Sequence, residues 1–165
     1  MFLDFEISPM TDADGPEVIE IFAQSIQEGG ATFRASAPSF EAWSAGHLPN
    51  LRYVAKRQGV VLGFIAAAPT SQMEAYWGMI EISLYIRGNA RGQGIGRALM
   101  ELMKRESEHQ GYWCLYSCIC AENKASIALH EKCGFRLVGR REKAARDRFG
   151  KWQDTVIYEY RNAIR

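Results

Sequence analysis

The chain has 165 residues, 47% hydrophobic and 24% charged, with twenty Lys and Arg against nineteen Asp and Glu for a formal net charge of +1. That length suits one domain with a well-buried core, and neither repeat nor linker divides it, so residues 1–165 are expected to form a single domain. The even charge argues against a nucleic-acid or membrane partner, the apolar run Val60 to Pro69 is far too short to span a bilayer, and the opening Met-Phe-Leu-Asp-Phe-Glu is no secretory signal; a cytoplasmic protein is expected.

Residues 3–8 are predicted as a first strand. Asp12 to Gln27 carries Val18, Ile19, Ile21, Phe22 and Ile26 at helical spacing, with Pro16 in the first turn and Gly29-Gly30 as the stop. Ser39 is placed to cap a short helix containing Phe40 and Trp43. Residues 51–57 and 60–68 are predicted as a hairpin joined through Gly59. From Met79 to Arg87 the pattern alternates: Ile80, Ile82, Leu84 and Ile86 face one way, and Glu81, Ser83, Tyr85 and Arg87 the other. A glycine-rich turn leads into a helix from about Gly96 to Gln110, with Leu99, Leu102 and Met103 on its buried stripe. Residues 113–120 follow as a strand, then a helix from about Asn123 to Cys133 stopped by Gly134, then strands over 135–140 and 154–161. The order β-α-α-β-β-β-α-β-α-β-β is an α/β layout around one mixed sheet.

Cys114, Cys118 and Cys120 fall at even positions of one predicted strand, sharing a face but spread along it. Zinc needs ligands that converge, usually from C-x-x-C turns, and no such turn exists; these cysteines and Cys133 are expected to be small buried thiols, with no metal site.

The turn Arg91-Gly92-Gln93-Gly94-Ile95-Gly96-Arg97 joins a strand to a helix. At a helix start the first N–H groups lack intrahelical partners and the dipole favours negative charge, while glycine lets backbone approach a phosphate closely. A diphosphate-bearing ligand is therefore expected, against the plainer reading of a glycine turn that merely tightens the joint. Arg97-Ala98 stands where a P-loop needs Lys-Ser/Thr, and the spacing G-x-G-x-G is not the G-x-G-x-x-G of a dinucleotide fold.

With R-x-x-G-x-G at 91–96 and the segment Asn123-Lys124-Ala125-Ser126-Ile127-Ala128-Leu129-His130-Glu131-Lys132-Cys133-Gly134-Phe135, the chain resembles the GCN5-related N-acetyltransferase superfamily over about residues 5–161. The resemblance implies a mixed, mostly antiparallel twisted sheet flanked by helices, with strands splayed at the cofactor site. It also implies acetyl-coenzyme A as cofactor. The loop Arg91, Gly92, Gln93, Gly94, Ile95, Gly96 and Arg97 would hold the pyrophosphate through backbone N–H groups, and Leu84, Tyr85 and Ile86 would offer backbone groups to the pantetheine arm. Asn123 and Ser126 would contact the pantetheine or phosphate end, although Asn123 alone fits a helix cap better.

Acyl transfer to an amine requires that the ammonium lose a proton, that the thioester oxygen be held, and that the thiolate leave. Glu81 is the candidate base: a carboxylate part-way into a sheet has a raised pKa, though a structural Glu–Arg pair fits the pattern equally well. The resemblance favours the base, since the phosphinothricin/methionine sulfone N-acetyltransferase group carries E-x-x-[VL]-Y-[VI] at this distance from the loop. His130 is the candidate acid, filling the slot where many superfamily members have Tyr, with its helix face expected to look toward the cofactor; a surface or core histidine is the alternative. The acyl oxygen would be held by the N–H of Tyr85 or Ile86. Cys133, three residues from His130, offers an acetyl-enzyme route, and direct transfer is preferred over it.

Thr32, Phe33 and Arg34 resemble that group's substrate-side segment, and Arg148-Phe149-Gly150-Lys151-Trp152-Gln153-Asp154 its tail before the last strand. Arg34 would meet a carboxylate or phosphinate, or else lie solvated in a loop. Arg87-Gly88-Asn89 departs from the His or Pro frequent in relatives. The expected activity is N-acetylation of a small amino-acid-like amine. Another amine (a polyamine, an aminoglycoside or a protein N-terminus) and a non-catalytic coenzyme A-binding module remain alternatives. A homodimer is expected from the resemblance and from Trp152, Tyr158 and Tyr160, which want a covering surface.

Overall fold

The computed structural model describes residues 4–163. Strand β1 is Glu6–Pro9, so the start expected at residue 3 lies outside the described residues. A single 3₁₀ turn at Asp12–Asp14 delays helix α1 to Gly15–Glu28, where Pro16 takes an early position that needs no N–H donor. Helix α2, Phe40–Ala45, is capped as expected: the Ser39 hydroxyl accepts from Ala42 N at 3.2 Å. Strands β2 (Arg52–Arg57) and β3 (Val60–Pro69) form a hairpin whose two turn residues, Gln58 and Gly59, both have positive φ, which matches the twist of the strands.

Strand β4 is Met79–Ile86, helix α3 Ile95–His109, strand β5 Cys114–Cys120 and helix α4 Lys124–Lys132. Strands β6 (Arg136–Arg146) and β7 (Trp152–Arg161) run longer than the sequence pattern indicates. Asp154 accounts for part of the extension. It accepts from the Arg140 guanidinium and from Lys143 N, holding together a ladder whose register shifts between Arg141 and Ala145.

The seven strands lie in the order β1-β2-β3-β4-β5-β7-β6. All neighbours are antiparallel except β4 and β5, which are parallel because α3 carries the chain back between them. That parallel pair is short, joining only Met79, Ile80 and Glu81 to Cys114, Leu115 and Tyr116. Beyond it β4 runs on to Ile86 and β5 to Cys120 without pairing to each other, so the sheet opens into a fork.

Two cores fill the sheet's two faces. On one, Ile95, Leu99, Met100 and Met103 of α3 pack on Ile65, Ile80, Ile82, Leu115 and Phe135, with Ile127 and Leu129 of α4 alongside. On the other, Val18, Ile21, Phe22 and Ile26 of α1 and Trp43 of α2 pack on Val54, Val61 and Phe64. The second cover reaches only β2, β3 and β4, leaving the face that carries Tyr116 and Cys118 without a helix. Cys118 is accordingly exposed, against the expectation of a buried thiol, while Cys114, Cys120 and Cys133 are buried. No helix among the described residues is long and apolar enough to cross a membrane.

Candidate active site

At the loop, Gly92 and Gly94 have φ of 74° and 82°, and a Cβ built at either meets no atom within 4 Å. Helix α3 starts at Ile95 with no side-chain cap, and Ala98 N donates to Gly94 O at 3.1 Å. The N–H groups of the first turn thus face open space across backbone that lacks side chains, a cradle that fits a phosphate. The long side chains turn away from it. Arg91 pairs with Glu28 at 2.6 Å and donates from Nε to Ile86 O, and Gln93 bonds Asn89 O and Arg57. Ile95 puts its side chain in the core and offers only its backbone, whereas Arg97 is exposed. A Cβ at Gly96 would come within 3.1 Å of Leu129, so this glycine serves the approach of α3 to α4.

The departure at Arg87-Gly88-Asn89 becomes a 3₁₀ turn, Gly88–Ala90, with its own supports. Arg87 pairs with Glu17 and Glu20 and donates from Nε to Val61 O, and Gly88 N donates to Gln24 Oε1.

Backbone parity decides which β4 groups face the fork. Gly78 O accepts from Trp113 N and Cys114 N on the β5 side, while Arg87 N donates to Leu62 O on the β3 side. In a ladder these directions alternate, so even-numbered residues point to β5 and odd-numbered ones to β3. Leu84 and Ile86 therefore present backbone groups to the fork. Tyr85 does not, and its expected backbone role is corrected: its peptide groups belong to the ladder with Phe64.

The Tyr85 side chain faces α1, its ring against Phe22 and Phe64. Burial pushes its phenol up to about 12, against the pull of a Thr32 hydrogen bond and the Arg34 charge. Thr32 and Arg34 thus reach the Glu81 face of β4, with Thr32 and Phe33 half-buried and Arg34 exposed.

Glu81 stands on that face at the last paired rung and lines an open cavity of about 390 Å³ with Pro69, Thr70, Ser71, Tyr76, Tyr116 and Arg141. Burial raises its pKa, and among the described residues no cation pairs with it. Pro69, Thr70 and Ser71 also wall a second hollow of about 550 Å³ that includes His47. His47 stacks on Trp43 and is bonded through Nδ1 to Trp43 O, and burial lowers its pKa.

His130 does not occupy the position expected of an acid. It is buried; its Nδ1 lies 2.7 Å from Ser126 O and its Nε2 2.9 Å from Ser117 Oγ. A carbonyl only accepts, so Nδ1 carries the proton and Nε2 accepts from the Ser117 hydroxyl. Burial lowers its pKa, which disfavours the cation that would carry a proton on Nε2. It pins α4 to β5. Asn123 caps α4, its Oδ1 accepting from Ser126 N at 3.2 Å, and the Ser126 hydroxyl lies 3.5 Å from His130 Nδ1. Burial raises the Cys133 thiol, which disfavours the thiolate an acetyl-enzyme requires.

Sequence reasoning missed Tyr116, Arg141 and His47. Tyr116 was legible as the strand residue nearest Glu81 once β4 and β5 were paired, but Arg141 and His47 lie in segments with no motif. The aromatic tail is also corrected: Tyr158 is buried and donates to Glu131, and Tyr160 is partly covered under Lys104, leaving Trp152 exposed. Among the described residues, no three His, Cys, Asp or Glu side chains gather as a metal set.

The family model described as "Acetyltransferase (GNAT) family" matches residues 17–135. The phosphinothricin N-acetyltransferase of Alcaligenes faecalis is 33% identical over 156 residues, 90% of this chain and 78% of that protein. An L-methionine sulfoximine/L-methionine sulfone acetyltransferase of Pseudomonas aeruginosa is 32% identical over 101 residues, 61% of this chain and 58% of that protein. Among solved structures, a GNAT superfamily phosphinothricin acetyltransferase from Sinorhizobium meliloti, in complex with AcCoA, superposes with a TM-score of 0.87 at 27% identity, covering 96% of this chain and 89% of that one.

Proposed function

This chain belongs to the acetyltransferase (GNAT) family, which makes it an acyltransferase, and on that premise we propose that it acetylates the α-amine of a small amino-acid-like acceptor by direct transfer from acetyl-coenzyme A. The observation that carries the reading is Glu81, a carboxylate with no cation partner among the described residues, placed at the fork of β4 and β5 and lining a cavity open to solvent.

The cofactor supplies an activated acetyl thioester. The glycine cradle and the first turn of α3 would hold its diphosphate, and the free edge of β4 at Leu84 and Ile86 its pantetheine arm. Glu81 takes the proton from the acceptor's ammonium, directly or through water; its raised pKa brings it closer to the amine's and eases that transfer. The edge N–H of Leu84 or Ile86 replaces Tyr85 as the donor for the acyl oxygen. His130 acts as an anchor that fixes α4 beside the fork, so the thiolate leaves without a proton from it.

Thr32 and Arg34, which reach Tyr85, form the side that receives the acceptor's polar tip. Names of relatives support an amino-acid acceptor with a tetrahedral polar end. The chain is further proposed to work in the cytoplasm as a homodimer. Exposed Leu137 and Val138 on edge strand β6, with Phe149 and Trp152, offer the apolar surface, and the molar mass by light scattering at tens of micromolar tests it.

The test of substrate class is thiol release from acetyl-coenzyme A with methionine sulfone, its decarboxylated amine, spermidine and a short peptide. Methionine sulfone is expected to give the highest kcat/KM; a better rate with spermidine or the peptide overturns the amino-acid reading and leaves the acyltransferase assignment.

A further inference from the structure

We infer that Arg141 holds the α-carboxylate of the acceptor, so that selection of amino acids over simple amines is made on β6. The inference rests on the amino-acid reading above.

The cationic side chains of β6 divide by partner. Arg136 pairs with Glu159, Arg140 with Asp154 at 2.6 Å, and Arg146 lies over the Trp152 ring at 4.4 Å. Among the described residues Arg141 has no carboxylate within ion-pair distance, and it alone of these arginines lines the Glu81 cavity. Strand alternation explains the difference. Arg140 pairs in register with Val156 and shares its face with Asp154, whereas Arg141 pairs with Thr155 and points to the opposite face, where Tyr116 and Glu81 stand. Asp154 fixes this by gripping residues on both sides of Arg141: the Arg140 guanidinium and Lys143 N. Burial raises the Tyr116 phenol, with Cys118 and Glu81 adding to the rise, and Arg141 reaches far enough across the sheet to oppose it.

The chemistry of an α-amino acid then assigns the group. Its amine and its carboxylate share one carbon, so a cation that holds the carboxylate must stand in the same cavity as the base that takes the amine's proton. Arg141 and Glu81 line one cavity. Arg34 acts on Tyr85 and His47 from the α1–α2 connection, the place for a group several bonds away, the acceptor's tip. A guanidinium can grip a carboxylate with two parallel hydrogen bonds, and a carboxylate brought into the cavity without such a partner would lose water at a net cost.

The experiment is steady-state kinetics of the full chain with methionine sulfone and with its decarboxylated amine, for the unaltered protein, Arg141→Gln and Arg141→Lys. Coenzyme A affinity by calorimetry follows the fold. In Arg141→Gln, KM for methionine sulfone is expected to rise about 10- to 100-fold with kcat nearly unchanged, while the decarboxylated amine is unaffected. Arg141→Lys is expected to recover part of the loss, since it keeps the charge and loses the fork. Coenzyme A affinity should be unchanged in both. Equal losses on the two acceptors, or no loss on either, overturn the role of Arg141 and leave the amino-acid reading standing. A preference of the unaltered protein for the decarboxylated amine overturns both, and is seen before any variant is made.

Discussion

Glu81 and Tyr116 face each other across the last rung that joins β4 to β5, and the strands part immediately beyond them. The carboxylate is thereby fixed where sheet hydrogen bonding stops and the edge of β4 becomes free. Its side chain lies on the face toward α1, while the free backbone edge points into the fork. A base and a row of main-chain groups thus meet at one place without sharing a hydrogen bond.

Replacing Glu81 by Gln keeps the shape and removes the proton acceptor. The expected loss in kcat/KM at neutral pH is about 10²–10⁴-fold, with coenzyme A affinity nearly intact. In the unaltered protein the rate should climb with pH until Glu81 is fully ionised, at a pH above the ordinary carboxylate range because burial raises its pKa. That limb should be missing from the Gln variant's pH profile. Near-normal turnover in Glu81→Gln removes this residue from the mechanism.

The same substitution should stabilise the fold. A carboxyl whose pKa is raised by folding binds its proton more tightly in the native state, so native stability falls as pH rises from the unfolded value, about 4.3, through the raised one. Above that window the unaltered protein carries the full cost of an ionised, partly buried Glu81, and Gln does not. Thermal melts at pH 7.5 should place Glu81→Gln higher by about 1–3 °C. The gap should close below about pH 4. A lower Tm for the Gln variant at pH 7.5 would mean that the carboxylate makes a stabilising contact in the native state.

His130 calls for the opposite sign. Its pKa is lowered by burial, so below about pH 6.5 the unfolded chain takes up a proton that the native state resists, and stability is lost as pH falls. His47, lowered for the same reason, contributes a second share. His130→Ala removes the Ser117 and Ser126 bonds and leaves a void between α4 and β5, costing about 2–4 kcal/mol. Denaturant melts at pH 7.5 and 5.5 should show a smaller pH dependence in the variant. Its kcat, measured below its melting temperature, should fall less than that of Glu81→Gln; a larger fall would return His130 to the chemistry.

Element order was legible because periodicity changes sharply along the chain, whereas the fork was implied only by the family resemblance. Ile80, Ile82, Leu84 and Ile86 alternate against polar partners, and α1, α3 and α4 carry helical spacing between glycine stops. The far end of β6 was not legible. Arg140 to Arg146 has no alternation, and it becomes strand because Asp154, from another strand, ties its bulge. The site divides the same way. The glycine cradle and Glu81 carry local signals, a helix start and a carboxylate on the polar face of an alternating strand. Arg141, Tyr116 and the anchored state of His130 depend on which strands lie side by side, and Ser117 carries no mark in the sequence of its bond to His130.

The cradle permits a test that separates strain from obstruction. Gly94 has φ of 82° and opens onto space free of protein atoms for 4 Å around a Cβ. A β-branched residue there suffers twice, once from the backbone and once by standing where a phosphate would approach, so Gly94→Val is ambiguous if it fails to bind. Asparagine tolerates the left-handed region better than other side chains and keeps the backbone near its native shape. Gly94→Asn is therefore expected to melt close to the unaltered protein, whereas Gly94→Val melts lower. Both should bind coenzyme A at least about 10-fold more weakly, because a side chain removes the close approach of backbone N–H groups to the diphosphate. Dephospho-coenzyme A, which keeps the diphosphate, should lose as much as coenzyme A itself, while pantetheine, which lacks it, should bind both variants as it binds the unaltered chain. Unchanged coenzyme A affinity in a folded Gly94→Asn protein would place the diphosphate elsewhere than this turn.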